Sequence, residues 1–192
     1  VTLSDVPSPG VREVTVWTLE QTAAADLVLA RAPDLPVELV RVGRPAPELS
    51  RFLYTAVGGD WYWVDRLGWT YAQWSDWVGG PGRVTFLAQV EGAPAGYGEL
   101  DPAPDGDVEV AYFGLLPAFI GHGLGGWLLA EVTARAWAVP GARRVWVHTC
   151  SLDGPAALTN YQRRGFRVCG THVELRDVSG PPPGPWPGAR RS

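Results

Sequence analysis

The stretch FIGHGLGG, Phe119 to Gly126, sets four glycines among eight residues. Ahead of it runs DVEVAYFGLL, apolar and strand-like, and behind it LGGWLLAEVTARAWA, in which Leu124, Leu128 and Val132 repeat at helical spacing. A backbone that turns so sharply from strand to helix bunches free N–H groups where the helix dipole attracts anions. Gly141 closes the helix, and RRVWVHTC reads as a further strand. Strand, crossover helix and strand make a parallel pair with a right-handed connection.

The other signals are antiparallel. RVTFLAQV alternates, turns at Glu91 and Gly92 and returns as AGYGEL, and Asp105 with Gly106 marks another tight turn. Pro47 opens a helix through ELSRFLYTAV, with Leu49, Phe52, Leu53 and Ala56 on one face, before Gly58 and Gly59. Thr70 and Gln73 have the spacing of a capping box for a second helix, which Gly79, Gly80 and Pro81 close. Gly154 and Pro155 suit the start of a last helix and Gly165 its end, after which FRVCGTHVELRDV finishes the sheet. The fold expected is α+β, a mixed and mostly antiparallel sheet with one parallel β-α-β crossover, flanked by helices. Residues 36–179 form that domain. Residues 1–35 are read as an N-terminal arm with one extra strand in VREVTVWTL, and residues 180–192, GPPPGPWPGARRS, as a disordered or polyproline-like tail.

Composition narrows the function classes. A net charge of −4 gives no basic face for nucleic acid, so an anionic ligand must be held by local donors. No apolar run approaches the roughly 20 residues that span a bilayer, and no leader pattern opens the sequence, so a soluble cytoplasmic protein is expected. Cys150 and Cys169 are the only cysteines, read as buried reduced thiols, and their spacing suits no metal site.

Gly121, Gly123 and Gly126 fit the dinucleotide fingerprint G-x-G-x-x-G literally. That fold puts its first glycine at a strand end and an acidic residue about 20 positions later. Here PAFI intervenes after the strand, and neither Asp nor Glu occurs between Glu131 and Asp153. The alternative is an acyl-CoA loop. Gly123 and Gly125 occupy the glycine places of the GNAT superfamily loop, and GPAALTNYQRRGF resembles that family's NxxAxxxYxxxGF at Ala157, Tyr161, Gly165 and Phe166. From about Val37 to Val178 the chain therefore resembles the acetyl-CoA-dependent N-acetyltransferases. Ile120 stands where the family usually has Gln or Arg, and Gly154 where it often has Asn. One clear strand follows Tyr161, where the family commonly has two.

The resemblance implies acetyl-CoA as co-substrate, with no metal, and a primary amine as acceptor in a direct ternary complex. It also implies that the pantetheine arm pairs with the backbone of Phe113, Gly114, Leu115 and Leu116. The diphosphate would rest on the amides of Gly121, His122, Gly123, Leu124, Gly125 and Gly126, with His122 as the ionisable helper. A fold that keeps the ligand but has lost turnover, an acyl-CoA sensor, is the competing reading.

At neutral pH only about one alkylamine in a thousand is uncharged, which adds roughly 4–5 kcal/mol to attack on a thioester. A general base is therefore expected. Glu109 is the first candidate, on the strand face that alternation shares with Ala111, Phe113 and Leu115; Glu99 is the second, and His148 and His172 read as ordinary strand histidines. Tyr161 is, by resemblance, the acid near the departing sulfur. The segment DWYWVDRLGWTYAQWSDW carries Trp61, Trp63, Trp69, Trp74 and Trp77. These rings build core or an oligomer interface, such as a homodimer's, or else cage a cationic amine beside Asp60, Asp65 or Asp76. A small-molecule amine fits this reading better than a protein.

Overall fold

In the strand Val11–Gln21 (β1), Val14 and Val16 are buried on one face and Leu19 and Gln21 on the other. A strand covered on both faces belongs inside a sheet, since each such Val or Leu gains about 1.5–3 kcal/mol from burial. The computed structural model describes residues 10–189 and places β1 there. The remaining elements are Val37–Arg41 (β2), Pro47–Gly58 (α1), Tyr71–Val78 (α2), Val84–Val90 (β3), Ala93–Pro102 (β4) and Asp107–Leu115 (β5). Leu124–Trp137 (α3), Arg144–Cys150 (β6), Ala157–Arg163 (α4) and Arg167–Asp177 (β7) follow. One sheet runs β2-β3-β4-β5-β6-β1-β7, antiparallel throughout except for the parallel pair β5 and β6.

The boundary expected at residue 36 therefore separates nothing. β1 pairs with β6 over Val16–Gln21 and with β7 over Val11–Glu20. It stands beside the one strand that follows Tyr161 and completes the sheet from the N-terminal side. Gln21 fastens this arrangement: its amide oxygen accepts from Trp137 Nε1 at 2.7 Å, and its Nε2 donates to the Arg164 carbonyl at 2.7 Å. Thus β1 holds the ends of both α3 and α4.

The helices lie in two layers. Leu128, Leu129, Val132 and Ala136 of α3 pack with Tyr161 and Phe166 against one face of the sheet. Leu53 and Val57 of α1 pack with Leu87 and Tyr97 on the other. The capping box of α2 is formed: Gln73 N–H donates to Thr70 Oγ1 at 3.3 Å and Thr70 N–H to Gln73 Oε1 at 2.8 Å. Phe52, expected on the buried face of α1, is exposed.

Two bulges change which way side chains point. Glu99 and Leu100 of β4 face Tyr112 and Val110 of β5, leaving Ala111 unopposed. The alternation expected from Glu109 through Phe113 breaks there: Val108, Val110, Phe113 and Leu115 join the α3 core, while Tyr112 joins the α1 side. Glu109 shares that second face. In β7, Thr18 pairs with Gly170 and Leu19 with Val168, skipping Cys169, whose thiol is exposed instead of buried.

The C-terminal segment has neither helix nor strand, yet it is tied down. Val178 is buried, Tyr62 donates to the Gly180 carbonyl at 2.8 Å, and Gly184 N–H to the Gly59 carbonyl at 2.9 Å. The loose tail expected from residue 180 is, through residue 189, a strap over the end of α1. Residues 1–9 of the expected arm and 190–192 of the tail lie outside the described residues.

Candidate active site

β5 and β6 pair only through Asp107–Glu109 and Arg144–Trp146. Beyond Glu109 the strands part, and the backbone edge of β5 that faced β6 is left without a strand partner. A cavity of about 620 Å³ fills the opening. Phe113, Gly114 and Leu115 line it, as do Gly121, Gly125 and Gly126 at one end. The loop is shaped by Gly121 at φ +89° and Gly123 at φ +78°, a region that residues with a Cβ rarely enter. Among the described residues the N–H groups of Gly121, His122 and Gly123 donate to no protein acceptor, and those of the first turn of α3 are free by helix geometry. Asn160 Nδ2 donates to the Gly125 carbonyl at 3.2 Å, fastening the loop to α4.

The other residues expected at this end divide. Leu124 is buried under the loop. The Leu116 N–H is spent on the Ala95 carbonyl at 2.9 Å. His122 turns back, its Nδ1 3.1 Å from the Ile120 carbonyl. Ile120 lines the cavity with no charge to offer, but so does Arg163 at the end of α4. That guanidinium is exposed and makes no hydrogen bond or ion pair among the described residues. Its neighbour Arg164, by contrast, donates to the Leu29 carbonyl. Position 120, where the resemblance leads one to look for a basic side chain, has none, and Arg163 at the end of α4 stands at the same wall.

Tyr161 is buried, stacked edge-on against Phe113 and Phe166 at 6.1 and 5.9 Å, and lines the cavity. Burial pushes its phenol pKa well up, and the Asp153 charge adds to this, so the hydroxyl keeps its proton. Glu109 does not reach the cavity wall. It stands behind His148, whose Nδ1 lies 3.2 Å from its Oε1. That leaves Nε2 as the free ring nitrogen of a residue that does line the cavity. The hydrogen bond to Glu109 raises the His148 pKa, more than burial lowers it. His172 is on exposed β7, away from the wall.

Glu99 is placed elsewhere. It is buried, accepts from Trp77 Nε1 and from Thr85 Oγ1 at 2.9 Å, and does not line the cavity. Desolvation raises its pKa, against the opposing effects of Trp77, Thr85, Arg66 and Arg83. The tryptophan segment also divides. Trp69, Trp77 and Tyr112 close around the Arg66 guanidinium, at 4.3, 3.5 and 4.3 Å from their ring centroids. An aromatic cage exists, but Arg66 fills it from within. Trp61, Tyr62, Trp63 and Asp65 instead line the cavity; Asp60 and Asp76 do not.

Three residues that sequence reasoning left out complete the far end. Asp153 accepts from Thr149 Oγ1 at 2.6 Å, Cys150 N–H at 3.0 Å and Trp63 Nε1 at 3.3 Å, locking the turn after β6. Cys150 is half-buried at the wall, and desolvation raises its thiol pKa. Arg176 enters from β7. Continuing the β6 alternation from His148 would have found Cys150; nothing local would have found Arg176.

The profile of the acetyltransferase (GNAT) family matches residues 50–166, more than half of the chain. The chain belongs to that family. An uncharacterized N-acetyltransferase of Mycobacterium tuberculosis is 33% identical over 104 residues, 53% of this chain and 64% of its own length. The matched region thus spans under two thirds of that relative. Among solved structures, a GCN5-related N-acetyltransferase from Kribbella flavida superposes with a TM-score of 0.62 at 25% identity, covering 89% of this chain and 61% of the other. One from Sphaerobacter thermophilus gives 0.60 at 21%, covering 92% and 55%, and shows the fold alone. No helix of the described residues is long and apolar enough to cross a membrane.

Proposed function

We propose that this protein transfers an acetyl group from acetyl-CoA to the primary amine of a small molecule while both are bound. The supporting observation is one continuous cavity that runs from Gly121, Gly125 and Gly126 of the loop to His148, which Glu109 backs from outside the wall. The donors fit an anionic diphosphate: unpaired amides at the start of α3, with Arg163 adding the positive charge that Ile120 lacks. The unpaired edge of Phe113–Leu115 fits the amides of a pantetheine arm.

Acetyl-CoA would supply an acyl thioester for an uncharged amine to attack. The chain's own part is to take a proton and to give one. His148 accepts the amine proton at Nε2, and Glu109 steadies the resulting imidazolium through Nδ1. This role falls to His148, with Glu109 behind it, because Glu109 is screened from the cavity. Tyr161, held protonated by burial, donates to the leaving sulfur.

The experiment is thiol release from acetyl-CoA across a panel of primary amines. Amine-dependent release is expected. Uptake of CoA without release would assign a ligand sensor, and no uptake of CoA would remove the reading altogether.

A further inference from the structure

Resting on the transfer reading, we propose that the acceptor is an α-amino acid with an apolar or aromatic side chain, its carboxylate held by Arg176 and its ammonium group received by Asp65. Both residues line the end of the cavity away from the glycine loop. Arg176 Nε donates to Glu174 Oε1 at 2.6 Å, and its two terminal nitrogens have no partner among the described residues. Those nitrogens carry the paired N–H groups that match a carboxylate. The Asp65 carboxylate likewise makes no hydrogen bond or ion pair among the described residues, although its charge acts on Arg176. Opposite charges that share a cavity without touching leave room for a ligand carrying both signs.

The shared cavity also constrains the amine. Arg176 on β7 and His148 on β6 line it together, with β1 between their strands. In an α-amino acid the carboxylate and the amine share one carbon. Holding the first at Arg176 therefore keeps the second within the cavity that Asp65 and His148 also line. A polyamine has nothing to offer Arg176 and would be repelled by it, and a peptide N-terminus lacks the adjacent carboxylate.

The side chain has a wall to meet. Tyr54, Trp63 and Tyr112 stand with ring centroids 5.2–5.5 Å apart, and all three face the cavity. Tyr112 also packs on Arg66, at 4.3 Å, whereas Tyr54 and Trp63 hold no cation among the described residues. Such a surface favours a flat or branched apolar body over a second charge.

The test compares L-phenylalanine, L-phenylalaninamide and phenethylamine in two readouts: tryptophan fluorescence of the CoA complex, and thiol release from acetyl-CoA. L-Phenylalanine is expected to bind at least about tenfold tighter than the other two, the scale of one charge-assisted contact. Arg176→Gln should abolish that preference without weakening phenethylamine, and Arg176→Lys should restore part of it. Equal affinity for the three, no binding of any, or an equal loss for all in Arg176→Gln would overturn the proposal. Discrimination in binding without thiol release would leave the recognition standing and remove the transfer reading. Thiol release indifferent to the carboxylate would do the reverse.

Discussion

His148 Nδ1 meets Glu109 Oε1 at 3.2 Å at the point where β5 and β6 cease to pair. The last bonded residues of the ladder are Glu109 and Trp146, so the histidine two positions on lies on the same face and at the mouth of the gap. The geometry that opens the cavity is thus also the geometry that seats His148 in it.

Glu109→Gln removes the charge that raises the His148 pKa. The acid limb of the kcat/KM profile, below which His148 is protonated and cannot accept, should move to lower pH, with a reduced plateau. The charged groups that act on this ring are Glu109, Asp153 and Arg176. The same pair has a stability signature. Because the folded pKa is raised, its contribution is complete below about pH 6.5, the unfolded value, and is lost as pH rises through the folded value. The stability gap between wild type and Glu109→Gln should therefore shrink on going from pH 6 to pH 9 in urea titrations. A pH profile that does not move would separate Glu109 from the base.

Tyr161→Phe keeps the stacking on Phe113 and Phe166 but removes the proton. We expect kcat to fall by about tenfold, below the usual range for general acids because a thiolate leaves readily, with CoA affinity nearly unchanged. Unchanged turnover would leave Tyr161 a packing residue.

Arg163→Gln is expected to raise the KM for acetyl-CoA and the Kd for CoA by about tenfold, with kcat little altered, since a charge-assisted contact is worth about 1.5–3 kcal/mol. The difference should narrow at high salt, because Arg163 is exposed. Calorimetry on the two proteins checks both statements; equal affinities would remove Arg163 from the site.

Gln21→Leu should cost about 1–3 kcal/mol for each of the two groups it strands, Trp137 Nε1–H and the Arg164 carbonyl. The urea midpoint would fall accordingly. A midpoint near that of the wild type would mean that β1 does not anchor α3 and α4.

These residues show what the sequence could and could not disclose. The loop, the crossover helix and the motif around Tyr161 follow local rules of spacing and turn chemistry, and these elements stand where the pattern put them. The β5 bulge is not local: Ala111 is extra only relative to Leu100 and Glu99 on β4, so alternation along β5 alone mistook the face of Glu109. β1 was legible as a strand but not as an interior one, because its neighbours β6 and β7 lie more than a hundred residues away. The Trp segment hid its division for a similar reason. Trp69 and Trp77 enclose Arg66 only with Tyr112 from the sheet, and composition could not tell a cage already filled from one open to a ligand. Arg163 and Arg176 sit among ordinary surface arginines in sequence; folding alone turns them to the cavity.

The central claim is that acyl thioester and amine occupy one cavity together. Initial rates measured over a grid of acetyl-CoA and acceptor concentrations test it directly. Reciprocal plots that intersect, with thiol and acetylated amine formed in equal amounts, are the expected result. Parallel lines, with an acetylated enzyme isolable in the absence of amine, would contradict it.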